Sequence, residues 1–130
     1  MYHELAHTAH WKLIVDAPES NRWRDYQNAD ENLLESWAVF METLFTRHFV
    51  NPNYDRWSEF LYRRPQYRAT GAYSDFFNEI FETTNYTILQ MEQALVKANS
   101  LESWKNNLKD LYNGDEAKLE AIYATYYTKD

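Results

Sequence analysis

Apolar side chains recur along this chain at three- and four-residue intervals, the period of an α-helix. Nowhere do they show the two-residue alternation of a half-buried strand. Over 1–17, Leu5, Ala9, Leu13 and Ala17 form one stripe with Trp11 and Val15 beside it, and Pro18 ends the helix. Residues 18–29 are polar and read as a loop. Asp30 is placed to cap a second helix running to about Phe49, with Glu31 in its first turn. Its apolar stripe is Leu34, Trp37, Ala38, Met41, Leu44, Phe45 and Phe49. Asn51-Pro52-Asn53 is a turn, followed by a short helix around Tyr54–Tyr62 and an irregular stretch broken by Pro65 and Gly71. Residues 73–84 return to helical spacing with Tyr73, Phe76, Phe77, Ile80 and Phe81. Thr87 caps 88–98, with Ile88, Met91 and Leu95 inward. Ser100 caps 101–112, with Leu101, Trp104, Leu108 and Leu111 inward. Asn113-Gly114 fits a helix C-terminus, and Asp115 caps a last helix carrying Leu119, Ile122, Tyr123 and Tyr126. The expectation is one all-α domain over 1–130, with about six helices and no internal repeat.

Composition sharpens this reading. Two glycines and three prolines in 130 residues leave room for long helices and short connections. Aromatic residues make up 18% of the chain, enough to build a core or groove from large amphipathic rings. Thirteen Lys and Arg stand against 20 Asp and Glu, a net charge of −7, which argues against a nucleic-acid partner. The pair of helices meeting at Ala98-Asn99-Ser100 is therefore read as a packed hairpin and not as a DNA-reading one. With no cysteine there is no disulfide, thiolate metal site or cysteine nucleophile, and the compartment stays open. No apolar run approaches the length of a membrane span.

The chain opens with Tyr2-His3-Glu4-Leu5-Ala6-His7, an H-E-x-x-H motif. On a helix His3 and His7 lie one turn apart on one face, where two neutral imidazoles can share a Zn²⁺. Glu4 stands on the adjacent edge, placed to take a proton from a water that zinc has made acidic. Three of the four histidines fall at 3, 7 and 10, which is hard to read as scatter. Catalytic zinc takes three protein ligands and a water. In the second helix Glu31, Glu35 and Glu42 share a face, which reads either as a solvated acidic surface or as the source of the third ligand.

These elements together resemble the gluzincin metallopeptidases, whose zinc is held by both histidines of H-E-x-x-H and a glutamate on the following helix. Leu33-Leu34-Glu35-Ser36-Trp37-Ala38, with Glu42 seven residues after Glu35, is similar to the aminopeptidase branch of that group. His10 matches the additional histidine of the thimet-oligopeptidase-like branch, H-E-x-G-H-x-x-H, so the pattern places the chain in the broad group without choosing a branch. The resemblance covers residues 2–42. It implies Zn²⁺ bound by His3, His7 and Glu35, Glu4 as general base, Glu42 supporting a ligand from behind, and a peptide or protein substrate. His10 lies about 4.5 Å further along the helix than His7, too far to share the ion, and is expected to support the site, line a substrate groove or simply pack. His48 reads as an ordinary histidine at a helix end. Such peptidases add a Tyr or His that stabilises the oxyanion; Tyr73 and Tyr67, flanking Gly71, are the candidates. Arg63, Arg64 and Arg68 are placed to hold a substrate carboxylate or to pair with surface acids.

The start is abrupt. His3 stands in a first helical turn, where N–H groups lack partners and the chain frays. In the gluzincins more residues precede the metal helix, including a subdomain whose strand pairs with the substrate backbone. The resemblance therefore implies the C-terminal helical half of a peptidase, separated from an N-terminal portion and weak or inactive alone. The competing expectation is a non-catalytic helical module that binds a peptide or protein through its Tyr- and Trp-rich surface. The two readings differ in where the Glu35 carboxylate points.

Overall fold

The structure is a computed structural model and describes residues 2–16, 29–54, 75–96 and 98–127. Six helices run through these residues, with no strand among them. They are α1 (Tyr2–Asp16), α2 (Glu31–Phe49), α3 (Phe76–Thr83), α4 (Ile88–Gln93), α5 (Leu101–Leu111) and α6 (Glu116–Tyr127). None is long and apolar enough to cross a membrane.

Capping fixes several boundaries. At α4 the Thr87 hydroxyl accepts from the Gln90 N–H while the Gln90 side chain accepts from the Thr87 N–H. Ser100 and Ser103 make the same reciprocal pair at α5. Each pair satisfies two N–H groups that the first turn leaves open. Asp30 precedes α2 in extended backbone, as its sequence suggests, but its side chain makes no cap bond. Its N–H instead donates to the Asn99 carbonyl at 2.7 Å, tying the start of α2 to the α4–α5 turn.

Helix α4 is shorter than the 88–98 expected. After Gln93 the chain tightens into three-residue turns, with Leu95 N–H to Glu92 O and Val96 N–H to Gln93 O. Side chains of α5 take one carbonyl of α4 and that of its C-cap: Trp104 Nε1 donates to Met91 O and Asn107 Nδ2 to Ala94 O. Those acceptors are satisfied without further helix. Helix α3 starts at Phe76, and Tyr73, where the helix was expected to begin, lies outside the described residues. Tyr54 follows the Asn51-Pro52-Asn53 turn outside any helix, and the rest of the helix expected over Tyr54–Tyr62 lies outside the described residues.

The core is an aromatic cluster shared by four helices. Trp104 meets Phe77 edge-on at 4.7 Å and Phe76 at 5.6 Å. Phe77 meets Trp37 at 5.1 Å, Phe40 packs on Trp37 and Phe81, and Phe76 reaches Tyr123 and Tyr126. Leu33, Ile80, Met91, Leu95, Leu108 and Leu119 fill the spaces between the rings. Edge-to-face pairs of this kind each add about 0.5–1.5 kcal/mol beyond area burial. Leu111, expected inward, is exposed. On the outer side of α5, Glu120 bridges Lys105 at 2.9 Å and Lys109 at 2.7 Å, and the Lys105 ammonium lies over the Tyr123 ring. The bonds from Lys109 and Lys105 hold the Glu120 carboxyl below its usual range.

Gly114 follows the end of α5, as expected, but its reason is close approach. A Cβ there would fall 2.5 Å from a ring carbon of buried Tyr86, an overlap that ring cannot easily leave.

Helices α1 and α2 pack along each other more extensively than any other pair. Tyr2 meets Phe45 and Phe49 while His7 reaches Glu35, so the two helices run in opposite senses. The inward face of α1 is rotated from the expected stripe. Leu5 is 54% exposed and Ala9 also faces solvent, while Ala6 and His10 are buried and Leu13 packs on the core. Helix α2 is likewise buried on two sides. Leu33, Trp37 and Phe40 face the aromatic core, Ser36, Ala38, Val39 and Thr43 are also buried, and Phe49 is exposed.

Candidate metal centre

The antiparallel seam between α1 and α2 carries a cluster of polar side chains. On α1, His3 and His7 are spaced one turn apart. Their rings stand edge-to-face at 4.8 Å, and their Nε2 atoms are 3.2 Å apart. From α2, Glu35 reaches both: Oε2 lies 2.9 Å from His3 Nε2, and Oε1 lies 3.1 Å from His7 Nε2. The three side chains are 14–21% exposed, dry enough to strengthen polar contacts and open enough for solvent to arrive.

With the ring proton on Nε2, each imidazole can donate to one Glu35 oxygen. With the proton on Nδ1, both Nε2 lone pairs and the carboxylate face one point, the donor arrangement a cation takes. Zinc bound at about 2.0–2.2 Å in tetrahedral geometry sets neighbouring donors roughly 3.3–3.6 Å apart. The observed 2.9–3.2 Å spacings are slightly shorter than that, so a small opening of the triangle admits the ion. Among the described residues this is the cluster whose donors can converge on one cation. Two imidazoles and a carboxylate also match the donor preference of zinc, and as three protein ligands they leave a coordination position open.

Glu42 stands behind His3. Its Oε2 is 3.8 Å from His3 Nδ1, the ring nitrogen facing away from the cluster, and Tyr54 donates its hydroxyl to Oε1 at 3.4 Å. Glu4 follows His3 and its side chain is exposed. Glu31 is exposed at the start of α2 and takes no part. His48 ends α2 in ring contact with Phe49, away from the cluster. Tyr73, Tyr67, Arg63, Arg64 and Arg68 lie outside the described residues.

His10 is a packed histidine. It is 2% exposed and faces a cavity of about 40 Å³ shared with Ala6, Leu13, Trp37 and Met41, not the His3–His7–Glu35 triangle. Burial, and then the neighbouring charge of His7, lower its pKa from 6.5 to about 4. The fold therefore favours neutral His10. Its contribution to stability is complete above pH 6.5 and is lost as pH falls toward 4, because the unfolded chain takes a proton that the folded chain refuses. At pH 4 the loss amounts to about 3 kcal/mol. Urea midpoints measured from pH 7 to 4 in the presence of chelator should fall more steeply for the wild type than for His10→Leu. Parallel curves would show that His10 titrates normally in the fold.

No protein-family model, curated protein or solved structure matches the chain.

Tyr54 and Arg47 were not singled out from sequence. Their one signal is the Asn51-Pro52-Asn53 turn, which sends the chain back along α2.

Proposed function

We propose that this chain is a zinc-dependent metallopeptidase domain of gluzincin type. The observation that carries the reading is the convergence of His3, His7 and Glu35, from two antiparallel helices, on one point. His3 and His7 would hold the ion through Nε2, and Glu35 through its carboxylate. A zinc ion bound there would supply Lewis-acid chemistry, acidifying water and polarising a carbonyl. Glu4, beside His3 and open to solvent, accepts the proton of the attacking water at its carboxylate and passes it to the departing amine. Glu42 braces the far side of the His3 ring. A peptide-binding module without catalysis does not require a part-buried His–His–Glu contact. In such a module Glu35 is free to face solvent, whereas here it is turned into the seam between α1 and α2.

Replacing Glu4 tests the chemistry apart from the binding. With zinc supplied, the wild-type chain should cleave a quenched peptide library, if only weakly, and chelator should stop it. Glu4→Gln should bind zinc as tightly as wild type and cleave about 10²–10⁴-fold more slowly. Equal cleavage by Glu4→Gln would remove Glu4 from the mechanism. Absence of any zinc-dependent cleavage by the wild type would leave a metal site without peptidase chemistry.

A further inference from the structure

We infer that Tyr54 is a positioning residue for the metal centre, keeping the Glu42 carboxylate on the Nδ1 side of His3, 3.8 Å away and one small side-chain shift from a hydrogen bond. The inference rests on the metal-binding reading above and adds to it residues that neither the H-E-x-x-H motif nor the spaced glutamates indicate.

The turn after α2 aims Tyr54. Asn53 N–H donates to Asn51 Oδ1 at 3.0 Å, and Tyr54 N–H donates to the Asn51 carbonyl at 3.0 Å. This pattern reverses the chain within four residues. Arg47, in the last turn of α2, then fastens the returning backbone, with its Nε donating to the Tyr54 carbonyl at 2.7 Å. The same guanidinium pairs with Glu82 of α3 at 3.1 Å, and Asn78 holds that carboxylate oxygen at 3.2 Å. A helix end, a turn and a second helix thus fix a phenol whose hydroxyl reaches back to Glu42.

The division of labour at Glu42 gives this arrangement a purpose. One oxygen faces the Tyr54 hydroxyl and the other faces His3 Nδ1. When His3 gives its Nε2 lone pair to a metal, its ring proton resides on Nδ1 and needs an acceptor there. That acceptor fixes the tautomer and the ring orientation and makes the nitrogen a better donor. A carboxylate on a helix has rotamers that turn it toward water, and the Tyr54 hydroxyl favours the rotamer facing His3.

The test is zinc affinity, measured by competition with a chromophoric chelator, across a double-mutant cycle. Losing an outer partner of a metal-binding histidine costs about 10–100-fold in affinity. Glu42→Gln should fall in that range and Tyr54→Phe near its lower end, at about tenfold. Because Tyr54 acts through Glu42, Tyr54→Phe should change affinity by less than about twofold in the Glu42→Gln background. A residue that merely shores up the fold would lower affinity by the same factor in both backgrounds, which overturns the inference. Wild-type affinity in the Tyr54→Phe single variant overturns it as well, while leaving the metal site standing. A wild-type chain that binds no zinc overturns both.

Discussion

Glu35→Gln should abolish zinc-linked stabilisation while leaving the metal-free protein almost as stable as the wild type. Glutamine keeps the length and shape of the side chain but presents a neutral amide to the two imidazoles. Losing a direct anionic ligand should lower affinity by more than about 100-fold, since losing only an outer partner costs about 10–100-fold. At a zinc concentration 100 times the wild-type Kd, binding adds about 2.7 kcal/mol to the folded state, or roughly 10 °C in melting temperature for a chain of this size. The variant should show almost none of that shift. Without metal, the partly exposed contacts of Glu35 with His3 and His7 contribute about 1 kcal/mol or less, so the melting temperature in chelator should move by only a few degrees. Equal zinc shifts in Glu35→Gln and wild type would mean that the ion binds elsewhere.

The second large effect belongs to the core. Trp104→Ala removes a side chain that is fully buried, meets both Phe76 and Phe77 edge-on and donates its N–H to the Met91 carbonyl. Large-to-small replacement of a buried tryptophan costs about 3–5 kcal/mol, and the carbonyl left without its donor adds about 1–3 kcal/mol. Against a total of about 5–15 kcal/mol, the variant sits at the edge of unfolding. Trp104→Phe separates the two contributions, because it keeps a ring in the cluster and removes only the donor and part of the volume. Urea midpoints of the two variants should rank Ala well below Phe and Phe below wild type. A loss under about 1 kcal/mol for Trp104→Ala would contradict the assigned core.

Much of the fold was legible because the helices carry their punctuation. Thr87 and Ser100 mark the starts of α4 and α5 through reciprocal caps that need only local residues. The face of α1 was not legible from hydropathy. Its inward positions are His3, Ala6, His7 and His10, three of which count as polar, so the apolar stripe points to Leu5 and Ala9. A histidine-bearing face displaced the apolar one, and the histidine spacing was the better guide to what turns inward. The early end of α4 depends on Trp104 and Asn107 of another helix, and no local pattern announces it. At the candidate site, the motif and the seven-residue spacing of Glu35 and Glu42 brought His3, Glu4, His7, Glu35 and Glu42 into view. Tyr54 and Arg47 escaped because their roles come from a backbone reversal, and Arg47 reads locally as a cation at a helix C-terminus.

Zinc-edge X-ray absorption on the chain loaded with one equivalent of zinc and freed of excess tests the central claim most directly. The expected shell has two imidazole nitrogens at about 2.0–2.1 Å and one or two oxygens from Glu35 and water at about 2.0–2.2 Å. The imidazole signal should fall by half in His7→Ala. A chain that retains no zinc, or a shell without the paired imidazoles, would contradict the account.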